Sequence, residues 1–144
     1  MNQRYRSHLF FGIVLGVVFG CAAARAQDVV VIVNNGVKAT SASKDDIASV
    51  FTGDKSSLGD GSKVTPVTLK GGAVHEAFLK EYIGKGDAAY RTAWRSLVFT
   101  GQGTMPKTVD SEAAMVDYVA ATPGAIGYVG KGTEHDKVKT LAIK

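Results

Sequence analysis

The chain has 144 residues, 45% hydrophobic and 21% charged, with 17 Gly, 3 Pro and one Cys. That size and composition fit one globular domain and exclude a collagen-like, disulfide-stapled or wholly disordered chain. The formal charge of +4 is carried by one end: three arginines, Arg4, Arg6 and Arg25, lie in the first 26 residues, and without them it falls to +1.

Residues 7 to 24 hold no Asp, Glu, Lys or Arg, and Leu9 to Phe19 is almost wholly apolar. A positive start, a short apolar core and the small-x-small exit Ala24-Arg25-Ala26 describe a secretory signal peptide. The expected organisation is therefore a leader at 1–26 and one domain at 27–144, exported to the periplasm or beyond the cell. The apolar core is shorter than the roughly 20 residues a membrane span needs, so no stable span is expected after cleavage. Phe19 is bulky for a lipoprotein signal at Cys21, and Tyr5 separates Arg4 from Arg6, so no twin-arginine signal is formed. The domain itself has no cysteine, which excludes a disulfide, thiolate-bound zinc and a cysteine nucleophile. Its near-neutral charge gives no footprint for nucleic acid.

Along the domain, Asp28 to Val33 is a continuous β-branched run, suited to a strand covered on both faces. Ser43 with Asp45 and Asp46 predicts a capped helix whose apolar face is Ile47, Val50 and Phe51, stopped by Gly53. Residues 54 to 63 are polar and turn-rich, and Val64 to Leu69 reads as a strand with Pro66 at an edge or bulge. After Gly71-Gly72, helical spacing runs from Ala73 to Ile83. Asp87 is a candidate cap for the next helix, with Tyr90, Ala93, Trp94, Leu97 and Val98 as its stripe. Asp110 or Ser111 would cap a helix to Ala121. Ala125 to Val129 reads as a short buried strand, and Val138 to Ile143 as a last alternating one. Alternating strands and helices predict one α/β domain with a mostly parallel or mixed sheet.

Chemistry-bearing residues are few. His135 lies in a charged run. His75 with Glu76 suggests a metal or proton-relay fragment, but Leu79 stands where HExxH needs its second histidine. No nucleophile elbow, phosphate loop or complete dinucleotide fingerprint occurs, so no enzyme activity, metal or cofactor is expected. The better candidate is Lys70, Gly71, Gly72, Ala73, Val74 and His75, where a strand's end turns into a helix. Free amides and partial positive charge there favour an anion, and glycine lets a ligand approach the backbone. Thr100, Gly101 and Gln102 are a candidate second rim.

Several segments together resemble the phosphate-binding proteins of ABC transporters, within the type 2 periplasmic-binding-protein superfamily. They are Ile47 to Gly53 with Lys55, Val64 to Leu69 followed by a glycine turn into Ala77-Phe78-Leu79, and Thr122-Pro123-Gly124-Ala125-Ile126-Gly127-Tyr128-Val129. The resemblance implies a three-layer single lobe with helices on both faces of the sheet, and a non-enzymatic solute-binding role toward phosphate or a similar oxyanion. It also implies departures. Thr68 stands where the family has an Arg, and Gly72, Ala73 and Val74 stand in place of its Ser-Gly-Thr. Amides, Lys70 and His75 are left to substitute. The alternative is an envelope interaction module whose old cleft face binds a partner protein or a second copy of the chain.

Overall fold

The computed structural model describes residues 28–144; the predicted leader and Cys21 lie outside them. Five strands form one mixed sheet in the order β4-β3-β5-β1-β6. They are β1 (Val29–Val33), β3 (Thr65–Leu69), β4 (Lys107–Val109), β5 (Ala125–Gly130) and β6 (Lys139–Thr140). β3 runs parallel to both β4 and β5, whereas β1 is antiparallel to β5 and to β6. A second, two-stranded sheet pairs β2 (Ser41–Ala42) with β7 (Ala142–Ile143). The helices are α1 (Lys44–Thr52), α2 (Ala73–Phe78), α3 (Asp87–Phe99) and α4 (Glu112–Ala121).

Every residue of β5 is buried, and two neighbours in it show why. Successive side chains on a strand point to opposite faces. A Cβ on Gly127 would lie 2.5 Å from Met115 Sδ and 3.2 Å from Val119, so α4 presses directly on that face. Tyr128 points the other way and stacks on Phe78 of α2 at 3.9 Å between ring centres, with Phe51 of α1 edge-on. The sheet is thus sandwiched, as its continuous apolar strands require. Asn34, at the end of β1, ties the layers together. Its Nδ2 donates to the carbonyls of Val119 and Ala120 at the end of α4, and its Oδ1 accepts Gly36 N–H.

Several local expectations change. Val138 to Ile143 is not one strand: the chain breaks at buried Leu141, whose N–H goes to Val31, and its two halves join different sheets. The helix from Ala73 to Ile83 switches at Leu79 to a π-helical turn, Leu79–Ile83, and ends on Gly84 at φ 73°. Gly86, not Asp87, is the cap position of α3. Asp87 is free for side-chain work because it is the first helical residue. The stripe on α3 is narrow: Tyr90 and Trp94 are buried, Leu97 is half-buried and Val98 is exposed. Both buried side chains donate to the same acceptor, the Phe51 carbonyl, at 2.5 Å and 2.9 Å. Ser43 and Ser111 do cap α1 and α4 through their hydroxyls. The polar run 54–63 holds one buried anchor, Leu58, and a bridge between Ser57 and Lys63.

Candidate functional site

The three mutually parallel strands β3, β4 and β5 end along one edge of the sheet, and ligands of open α/β sheets gather outside such carboxyl ends. Lys70 leaves β3 there, with its N–H bonded to the Val109 carbonyl at 2.9 Å. Gly72 then adopts φ 99° and ψ 175° at the start of α2, without any side-chain cap. That region is open to glycine and strained for other residues. The first helical bond runs from Glu76 N–H to the Gly72 carbonyl, so the amides before it have no intrahelical acceptor. Gly71, Gly72 and Ala73 are exposed, and a Cβ on either glycine would meet nothing within 4 Å. The predicted turn therefore lies on an open rim.

Behind this rim lies a continuous polar chain. The Tyr128 hydroxyl accepts Leu69 N–H at 3.0 Å and sits 2.5 Å from His75 Nδ1. His75 Nε2 is 2.8 Å from Asp87 Oδ1. The bond pattern assigns the tautomer. Asp87 can only accept while ionised, so Nε2 carries the proton; the Tyr128 hydrogen then goes to Nδ1. Asp87 in turn takes Arg91 Nε with both oxygens, at 3.0 Å and 2.9 Å. Arg91 Nη2 donates to the Lys70 carbonyl at 2.8 Å. The chain closes on the turn itself. Burial pushes the Asp87 carboxyl up, but hydrogen bonds from Arg91 and His75 outweigh it and hold the carboxyl below its ordinary value. Burial raises the Tyr128 hydroxyl well above its usual range.

His75 is 1% exposed and spent at both ring nitrogens, while Glu76 next to it is exposed. Among the described residues no group of three His, Cys, Asp or Glu is placed to hold a metal ion. His135 sits in the loop before Val138, with Nδ1 on the Thr133 carbonyl. Val74 is buried and faces inward, so it offers only its backbone. Lys70 forms an exposed pair with Asp110 at 3.8 Å, a contact of little energetic weight in water. Thr100, Gly101 and Gln102 close α3, with Thr100 Oγ1 on the Ser96 carbonyl and Gln102 N–H on that of Leu97. They begin nine residues beyond Arg91, about 13 Å along the helix axis, and the structure does not join them to the turn.

The same loop's later residues, Met105 and Pro106, do come across. With Thr68, Thr108, His75 and Arg91 they line a narrow crevice of about 10 Å³. Sequence reasoning left out Arg91, Thr108 and Tyr128. The i, i+4 spacing of Asp87 and Arg91 signals an ion pair on a helix, but nothing local says that it faces Lys70.

No protein-family model matches the sequence, and no curated protein does. Solved structures do match. A phosphate ABC transporter substrate-binding protein from Clostridium perfringens, with bound phosphate, superposes with a TM-score of 0.61 at 15% identity, over 81% of this chain and 45% of that one. A phosphate transport receptor from Vibrio cholerae gives 0.53 at 15% identity, over 81% and 46%. PstS from Borrelia burgdorferi gives 0.54 at 13% identity, over 82% and 47%. The chain spans less than half the length of each. At these identities the likeness is one of fold: the domain has the α/β architecture of a single lobe of a type 2 periplasmic binding protein, with a mixed sheet and helices on both faces.

Proposed function

We propose that the chain is an exported, non-enzymatic solute-binding lobe that holds a small oxyanion, phosphate first, at the Lys70 to His75 turn. The leader at 1–26 would deliver it to the periplasm, where it would serve phosphate transport. The carrying observation is the Arg91 guanidinium, bonded to the Lys70 carbonyl directly behind an exposed glycine turn. This bond brings a guanidinium, paired on its other edge with Asp87, to a rim that also presents free amides, in a fold whose neighbours include a phosphate-bound one. Thr68, Gly72, Ala73 and Val74 stand where the resembled family has its gripping side chains, and Gly71 to Ala73 are exposed to solvent. Water therefore competes for every donor, and binding in the millimolar range, about −4 kcal/mol, is expected. Titrating inorganic phosphate and sulfate into the isotope-labelled protein tests this. Shifts of the Gly71 to Val74 amides at millimolar anion are expected; no shift at tens of millimolar would refute it.

A second reading has its own observation. Phe99 is 94% exposed, beside Val98 at 41%, and Met105 is 42% exposed. Exposed aromatic and methionine side chains are what interfaces use. In that reading the lobe binds an envelope protein or a second copy of itself. Crosslinking and light scattering of the protein and of Phe99→Ser decide it: an assembly that the substitution dissolves supports association, and a monomer at every concentration removes self-association.

A further inference from the structure

The polar chain behind the rim is a closed ring, and it closes on two neighbouring backbone groups. Leu69 N–H donates to the Tyr128 hydroxyl at 3.0 Å, and one residue later the Lys70 carbonyl accepts Arg91 Nη2 at 2.8 Å. Between them the ring runs through His75 and Asp87. Leu69 and Lys70 carry the chain into the glycine turn, and His75 lies in the first turn of α2, which leaves it. The ring therefore grips the chain on both sides of Gly71 to Val74. The turn has little of its own to hold it: Gly71, Gly72 and Ala73 are exposed, and a Cβ on either glycine would meet no described atom within 4 Å. Glycine has the most backbone freedom to lose, so the single conformation of this turn has to come from what fixes its ends.

Resting on the oxyanion reading above, we infer that Tyr128, His75, Asp87 and Arg91 form a clamp that sets the turn in its anion-receiving geometry before any ligand arrives. All four are positioning residues. Tyr128 and His75 are 0% and 1% exposed, so neither can touch a ligand on the rim. Asp87 is the telling member. A carboxylate repels an anion, and beside an oxyanion site it is out of place if charge alone decides. It fits if its role is geometric. His75 Nε2 and Arg91 Nε converge on its two oxygens, and its negative charge makes both bonds charge-assisted. Amides already in place when the anion comes have less freedom to lose on binding.

The two roles predict opposite signs for Asp87→Ala. Deleting the carboxylate and leaving Arg91 unpaired strengthens anion binding if charge decides; opening the clamp weakens it. Inorganic phosphate and sulfate are the probes, and circular dichroism checks that each variant folds. Asp87→Ala and Tyr128→Phe, which cut the ring at separate places, are each expected to weaken both anions about tenfold, the cost of fixing one freed residue's backbone on binding. Asp87→Asn keeps an acceptor oxygen and should recover most of the loss. Asp110→Asn removes an exposed acid that pairs with Lys70 outside the ring; as the charge control it should not weaken binding. Without anion, amide relaxation should give Gly71 and Gly72 order parameters of about 0.85 in the unaltered protein and below about 0.6 in Asp87→Ala. If Asp87→Ala binds more tightly, or the order of the turn is the same in both ring variants, the clamp is overturned and the oxyanion reading stands. If the unaltered protein binds neither anion while the order of the turn falls in the variants, the oxyanion reading fails and the clamp stands as what fixes the turn.

Discussion

Replacing Tyr128 by Phe isolates the worth of one buried hydroxyl. The ring would keep its stacking on Phe78 and its edge contact with Phe51, so no cavity larger than one oxygen opens. Two groups lose their partner: the Leu69 N–H, bonded at 3.0 Å, and His75 Nδ1, at 2.5 Å. Both are buried, and a buried polar group left unpaired costs roughly 1–3 kcal/mol. Donor and acceptor both faced the same lost oxygen and can partly approach each other, which takes the expected sum to about 3 kcal/mol. For a domain of this size that lowers Tm by roughly 10–20 °C. Tyr90→Phe is the internal control. It removes a bond of the same length, but the Phe51 carbonyl keeps the Trp94 Nε1 donor at 2.9 Å, so no group is stranded. Its cost should be about 1 kcal/mol, the net value of an ordinary hydrogen bond. Urea unfolding of both variants measures the difference. Equal losses, or a larger loss for Tyr90→Phe, would refute the argument that stranding decides the cost.

Gly127→Ala should destabilise by about 1–3 kcal/mol, because its Cβ would sit 2.5 Å from Met115 Sδ; Met115→Ala in the same chain should recover part of the loss in chemical denaturation. Gly72→Ala meets no neighbour but must adopt φ 99°, so a strain cost of about 1–3 kcal/mol with unchanged core packing is expected by thermal melts and near-ultraviolet circular dichroism. The Asp87 carboxyl is held below its ordinary value of 3.8 when folded. Its contribution to stability is therefore present above that value and lost as pH falls through the lower folded one. Unfolding measured from pH 5 to 2 should show a shallower acid decline in Asp87→Asn than in the unaltered protein. Tyr90, pushed up to about 12 by burial, should stay un-ionised at pH 11 in an ultraviolet titration, and its contribution is lost only as pH rises from 10 toward 12.

Much of the framework was legible because it is local. Ser43 and Ser111 cap helices through contacts spanning three residues, and an unbroken apolar strand such as β5 announces cover on both faces. The split at Leu141 was not legible, since a short alternating run carries no mark of which sheet its halves join. The π-helical turn at Leu79–Ile83 was equally hidden, because helical spacing over two turns does not distinguish a local widening.

The site divides in the same way. The sequence by itself determined the glycine turn after β3, the apolar faces that build a one-lobe α/β domain, and the absence of the Arg and Ser-Gly-Thr that the resembled family would place there. Only the tertiary structure decided that Arg91 stands behind Lys70, that His75 is spent between Tyr128 and Asp87, and that Thr100 to Gln102 fall at the far end of α3 while Met105 and Pro106 cover the crevice. The physical reason is range. A cap or a turn is set by torsions and bonds within a few residues, whereas His75 and Tyr128 meet across 53 positions and Arg91 and Lys70 across 21. Such contacts exist only once the packed sheet has fixed where each helix lies.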